Sequence, residues 1–239
     1  MNTEGTDVLV TGSAKRVGRL TALTLAEEGA NVAVHYNTSE KEAEETAQEV
    51  RELGRKATTV KSDLSTVEGA YAAVDGTVEG LGGIDVLVNN ASVFYETPIR
   101  EVTEEEWNQN MDVNLRAPFF ASQRAAEQGA EKVINIAGVG GHRPFASFLP
   151  YSVSKAGIVA LTEGLAKGLA PEVTVNAVSP GTVLSPEDRT EQEEKRIAEK
   201  TPVGRIGEPE DIADTVTFVV ASSDFLNGAV ISVDGGRSL

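Results

Sequence analysis

The sequence predicts one α/β domain built on a doubly wound, parallel, seven-stranded sheet. Seven short apolar runs recur along the chain, six are followed by helix-like stretches, and no Pro/Gly/Ser linker or internal repeat divides it. The length of 239 residues permits one large domain or two small ones, and 40% hydrophobic content is ample for a sizeable core. The runs are DVLVTG at 7–12, NVAVHY at 31–36, KATTVKSDL at 56–64, IDVLVNNA at 84–91, KVINIAG at 132–138, VTVNAVSPG at 173–181 and AVISVDGG at 229–236. Between them, Ser39 with Glu42 and Thr103 with Glu106 have the spacing at which a hydroxyl and a carboxylate satisfy the free amides of a helix start, while Gly29 and Gly54 mark helix ends. The charged, proline-punctuated segment 184–211 is expected as a substrate-loop insertion within the single domain.

Composition excludes several functions. There is no apolar run of about 18 residues, and MNTEGTDVLV enters the first strand without a basic, apolar leader, so a soluble, cytoplasmic protein without a membrane partner is expected. Without cysteine there is no disulfide or thiolate chemistry, and two separated histidines make no metal site. Redox chemistry therefore requires a bound cofactor. A net charge of −16 disfavours nucleic acid and anionic surfaces; it suits solubility, adaptation to salt or recognition of a basic partner.

After the first strand, TGSAKRVG enters an amphipathic helix. Gly12 allows a sharp turn, Gly18 allows helix and strand to approach, and the helix start then offers amides to a pyrophosphate, a Rossmann-type arrangement. An acid at the tip of the second strand would bind the adenosine ribose and repel a 2′-phosphate, but this chain has His35, Tyr36, Asn37, Thr38 and Ser39 there. With Lys15 and Arg16 in the first turn, NADP(H) is favoured over NAD(H). Ser39 serves as a helix cap, a phosphate ligand or both, and His35 as a strand-end residue making a local hydrogen bond. Asp63 and Leu64 end the third strand where an adenine edge would lie. Asn90 and Ala91 end the fourth, above the crevice, beside Asn89.

Tyr151 and Lys155, four residues apart, share a helical face. An ammonium beside a phenol favours the phenolate and so brings proton exchange nearer neutral pH.

TGSAKRVG, SDL, NNAS, MDVNL, YSVSK, VNAVSPG and VDGG, in this order, resemble the short-chain dehydrogenase/reductase family across nearly the whole chain. The resemblance implies Tyr151 as proton donor, Lys155 tuning it and gripping the nicotinamide ribose, and Asn114 holding a water in a proton relay. It carries the cofactor contacts to Gly12, Lys15, Arg16, Val17 and Gly18, to Tyr36 through Ser39, to Asp63 and Leu64, to Asn90, Ala91 and Ser92, and to Pro180, Gly181 and Val183. A homotetramer or homodimer built on helices near 103–128 and 151–169 is also implied. The family's usual fourth member, a serine thirteen residues before the tyrosine, is Gly138 here, and Ala137 offers no hydroxyl instead. This departure leaves a degenerate enzyme, a substrate needing no serine, or a donor from elsewhere, such as His142.

A narrower resemblance, in TGxxxRxG, HYN and NNASVFYETP, is to pteridine reductases, and implies Arg16, Ser92, Phe94 and Tyr151 as the substrate set, with Phe94 stacking on a pterin. Arg16 serving the cofactor alone and Phe94 as a core or lid residue are the plainer alternatives. Those reductases have aspartate where this chain has Gly138. The expected function is NADPH-dependent reduction of a small molecule, a flat heteroaromatic pterin first. Reduction of a ketone or 3-oxoacyl thioester and a catalytically degenerate NADP-binding sensor are the alternatives.

Overall fold

The structure is a computed structural model and describes residues 3–183 and 190–239. β1 (Asp7–Val10), β2 (Asn31–Tyr36), β3 (Ala57–Lys61), β4 (Val86–Asn89), β5 (Lys132–Ile136), β6 (Thr174–Pro180) and β7 (Val230–Val233) form from the seven apolar runs. All are parallel, in the order β3-β2-β1-β4-β5-β6-β7. Because successive side chains of a strand face opposite ways, Val8 and Val10 enter one core layer and Leu9 the other. The first layer is closed by α1 (Arg16–Glu27), α2 (Glu40–Glu52) and α8 (Pro209–Ala221), through residues such as Leu25, Val50 and Val216. The second is closed by α3 (Val67–Leu81), α5 (Ala117–Glu127) and α6 (Leu149–Gly168), through Val74, Ala121 and Ala166. This is the doubly wound single domain that the sequence predicts.

The stretch expected as one helix over 103–128 is interrupted. α4 (Glu104–Met111) starts with the predicted capping box of Thr103 and Glu106, but a π-helical turn, Asp112–Arg116, joins it to α5. Pro118 has no N–H for the carbonyl four residues back, which is that of Asn114, so regular α-helix spacing fails there. The π turn carries Asn114, buried, toward α6.

Of the segment 184–211, residues 184–189 lie outside the described ones. α7 (Glu191–Glu199) follows a capping box made by Thr190 and Glu193. The chain then docks at the β6–β7 end of the sheet: Gly207 N donates to Thr182 O at 3.0 Å and Val203 N to Gly235 O at 3.2 Å. Among the described residues, no helix is long and apolar enough to cross a membrane.

Candidate active site

The order of strands reverses between β1 and β4, so their carboxyl ends open a crevice where ligands of such sheets are held. Thr11 ties the two tips: its Oγ1 accepts from Asn90 N at 2.9 Å and from Ala91 N at 3.0 Å, and its carbonyl accepts from Asn90 Nδ2 at 2.8 Å. Gly12 and Gly18 are required by closeness. A Cβ on Gly12 would lie 2.9 Å from Ala91 Cα, and one on Gly18 would meet Asn90 Nδ2 and stand 2.5 Å from Gly12 O. Asn90 and Ala91 thus shape the turn from below. Val17 packs against the adjoining core.

Arg16 has φ of 55°, the one non-glycine residue with positive φ among those described. The left-handed region costs a side-chain-bearing residue roughly 1–2 kcal/mol, which explains why glycine suits this place and marks the arginine as a side chain kept despite strain. Its guanidinium is exposed and has no hydrogen bond or ion pair among the described residues. Lys15, in contrast, forms an ion pair with Glu42 at 2.7 Å.

That contact corrects the expected cap of α2. Ser39 precedes the helix with φ −94° and ψ 60° and makes no side-chain cap bond, and the Glu42 carboxylate pairs with the Lys15 ammonium instead of returning to the helix start. The Ser39 hydroxyl is left unspent. The Tyr36 side chain is buried in the core, so the side chains that the β2 tip presents are those of Asn37, Thr38 and the half-buried Ser39. Asp63 is exposed, its Oδ1 accepting from Ser65 N at 2.9 Å, whereas Leu64 is a core residue.

His35 is buried, and its Nδ1 accepts from Gly12 N at 3.0 Å. Nε2 therefore carries the proton, toward Ser62 Oγ at 3.0 Å. Burial lowers its pKa from 6.5 to about 4. The unfolded chain takes up this proton near pH 6.5 and the fold only near pH 4, so stability falls as pH drops through that window. The gap is worth roughly 3 kcal/mol. We expect the melting temperature of His35→Asn to lose this acid slope relative to the native protein; parallel profiles would contradict it.

The catalytic candidates converge across the crevice. Asn114 Nδ2 donates to Ser154 Oγ at 3.2 Å, and Ser154 donates to the Tyr151 carbonyl at 2.7 Å, joining the π turn to α6. Asn114 Oδ1 accepts from Val93 N at 2.8 Å and from Ser92 Oγ at 3.1 Å, fixing the strand-tip loop. Lys155 Nζ donates to Ile136 O at 2.8 Å and lies 5.7 Å from the Tyr151 ring centroid. Burial dominates both groups in this structure: it raises Tyr151 from 10.0 to about 12 and lowers Lys155 from 10.5 to about 8. Desolvation penalises both charged forms, and the ammonium is directed to a carbonyl rather than to the phenol oxygen.

Phe94 is 46% exposed, stacks on Phe148 at 4.5 Å and 5°, and meets the Tyr151 ring edgewise at 4.7 Å. Thr97 N donates to Ser147 O at 2.8 Å, which holds the two aromatic loops together. Phe148 and Ser154 were not singled out in sequence, and the i+3 spacing of Ser154 from Tyr151 is the signal available for the latter. Gly138 is buried with φ of 157°, and a Cβ there would stand 3.1 Å from Tyr151 Oη. The backbone thus has a conformation favouring glycine, and the tyrosine hydroxyl faces the strand tip directly. The His142 side chain is exposed, without a hydrogen bond among the described residues. At the other side of the crevice Pro180 ends β6, Gly181 N donates to Val233 O at 3.0 Å, and Val183 packs on the core.

Residues 12–238 match the family model described as Enoyl-(Acyl carrier protein) reductase. A 3-oxoacyl-acyl-carrier-protein reductase, FabG, of Staphylococcus aureus is 33% identical over 236 residues, covering 95% of this chain and 96% of the relative. The 3beta-hydroxysteroid dehydrogenase 1 of Eggerthella lenta is 33% identical over 247 residues, covering 99% and 95%. A crystal structure of a short chain dehydrogenase from Burkholderia cenocepacia in complex with NADP superposes with a TM-score of 0.94 at 31% identity, covering all of both chains.

Proposed function

The chain belongs to the short-chain dehydrogenase/reductase family of oxidoreductases, and we propose that it is an NADPH-dependent reductase of a carbonyl compound carrying a flat, apolar portion. The observation that carries this reading is the gathering of Tyr151, Lys155 and Asn114, with Ser154 bridging Asn114 to the Tyr151 carbonyl, beside an open glycine turn and the exposed Phe94 face.

The residues present fit the cofactor. The close approach at Gly12 and Gly18 leaves room for a pyrophosphate along the turn, and α1 begins at Arg16 without a side-chain cap, so its first amides remain open to an anion. The β2 tip carries no acid, while Asn37, Thr38, Ser39, Lys15 and Arg16 supply polar and cationic groups for a 2′-phosphate. Asp63 and Leu64 border the adenine end; Asn90, Ala91 and Ser92, with Pro180, Gly181 and Val183, border the nicotinamide end.

NADPH, when bound, supplies the hydride. Tyr151 Oη donates the proton that the substrate oxygen takes as its carbon accepts that hydride, giving the hydroxyl. A phenol held near a pKa of about 12 is fully protonated at neutral pH, the form reduction requires. Lys155 spends one N–H on Ile136 O, leaving two for a ribose hydroxyl. Asn114 fixes the loop bearing Ser92 and Phe94. Self-association through α5 and α6, giving a homotetramer or homodimer, covers exposed Phe119 and Val153.

A second reading, reduction of a dihydropterin, is favoured by the strained Arg16 and by Gly138, since a ring nitrogen needs no serine to hold a carbonyl oxygen. The relatives are a 3-oxoacyl-acyl-carrier-protein reductase and a 3beta-hydroxysteroid dehydrogenase, which puts the carbonyl first. NADPH consumption with an aryl ketone, an acetoacetyl thioester and dihydrobiopterin separates the two. Turnover of dihydrobiopterin alone would reverse their order, and silence from all three would leave an NADP-binding sensor.

The Lys15–Glu42 pair makes a further expectation. An exposed ion pair is weak and largely screened by solvent. Glu42→Gln frees Lys15 and removes an anion near the 2′-phosphate, so its NADPH Kd should fall by up to about fivefold while the NADH Kd stays unchanged. Equal changes for both cofactors in a fluorescence titration would contradict this.

A further inference from the structure

We infer that His35 is the positioning residue of the dinucleotide turn, bolting Gly12 and Ser13 in place so that the next residues can hold Arg16 in its strained conformation. The inference rests on the NADPH reading above.

Four hydrogen bonds converge on this one buried residue. Gly12 N donates to Nδ1 at 3.0 Å, and Nε2 meets Ser62 Oγ at 3.0 Å. The His35 carbonyl accepts from Ser13 N at 3.0 Å, and His35 N donates to Ser13 Oγ at 3.2 Å. Any strand residue at 35 can supply the last two bonds, because they use its backbone. Only the side chain supplies the first two, and these link the turn after β1 to the end of β3. Ser13 Oγ is spent as well, donating to Val10 O at 2.7 Å.

The turn therefore enters Lys15 and Arg16 with little freedom left. Arg16, at φ 55°, follows within four residues of Gly12. A chain free to relax there would leave the left-handed region, since nothing in the arginine favours it. The imidazole does not reach the crevice itself. It acts through the backbone of Gly12, and the expected consequence lies in cofactor binding rather than in the chemical step.

The test compares His35→Leu, which removes the acceptor, with His35→Asn, whose Oδ1 can take the place of Nδ1. Leaving the Gly12 N–H without its partner should raise the NADPH Kd about tenfold, with kcat at saturating NADPH changed far less. His35→Asn should stay within about threefold of the native Kd, and Ser62→Ala, which frees the far end of the ring, should weaken binding about threefold. In an Arg16→Gly background, where no strain needs holding, His35→Leu should cost clearly less than in the native one.

A native Kd in folded His35→Leu, or His35→Asn as weak as His35→Leu, would overturn the inference. If circular dichroism finds His35→Leu unfolded, Ser62→Ala decides: a native Kd there overturns it, and a raised Kd with retained kcat supports it. A native protein that binds NADH but not NADPH would strike the cofactor reading instead, and the same variants would then be read by their NADH Kd.

Discussion

Tyr151→Phe is expected to lower kcat/KM for reduction by about 10²–10⁴-fold while the NADPH Kd stays within about twofold of the native value. The hydroxyl removed is the proposed proton donor. The ring that remains keeps its edgewise contact with Phe94, so the aromatic wall and the turn that holds the cofactor are undisturbed. The pH dependence has a definite sign. Burial holds the phenol protonated up to about pH 12 and lets Lys155 lose its charge near pH 8. Reduction should accordingly keep a plateau below pH 8 and decline above it, while the reverse oxidation, which needs the phenolate, should be favoured by alkali. A Tyr151→Phe variant with native kcat/KM would remove the tyrosine from the chemistry.

Gly18→Ala should have the second largest effect. The added Cβ would stand 2.5 Å from the Gly12 carbonyl oxygen and 3.0 Å from Ser13 Cα, and would meet Asn90 Nδ2. Backbone cannot yield cheaply, so either the turn or α1 must shift; overpacking of this kind costs about 1–3 kcal/mol. For a domain of this size that is a fall in melting temperature of roughly 5 °C. The shift also displaces Asn90 from Thr11 O, and with it the tie between the two strand tips. NADPH Kd should rise at least about tenfold. A native melting temperature with a native Kd would mean that the helix does not pack as described.

The strands were legible because most are runs rich in Val, Ile, Leu and Ala with a polar or glycine tip, a pattern carried by neighbouring residues. IDVLVNNA, for example, becomes β4 followed by the Asn90–Ala91 tip that shapes the turn. The Thr103 and Glu106 cap was legible for the same reason, since its chemistry lies within four residues. Ser39 and Glu42 have equal spacing and make no cap: the backbone at Ser39 is not extended as it is at Thr103, and the Glu42 carboxylate goes to Lys15, distant in sequence.

Distance in sequence also hid much of the site. The joining of Tyr151 to Asn114 runs through Ser154, and the stacking of Phe94 on Phe148 depends on a loop tether by Thr97. The direction of the Tyr151 shift needed the burial of both partners, which spacing alone does not give. Gly138 was legible as a departure, but only the backbone reveals that the glycine adopts a conformation side chains rarely take and that Tyr151 Oη faces it.

Hydride transfer is tested most directly with NADPH deuterated at C4 and a panel of an aryl ketone, an acetoacetyl thioester and dihydrobiopterin. With the native protein, deuterium should appear on the reduced carbon of at least one product, and Tyr151→Phe, binding NADPH normally, should leave the same product essentially unlabelled. NADPH bound at full affinity with no label in any product, or equal labelling by the two proteins, would contradict a reductase working through Tyr151.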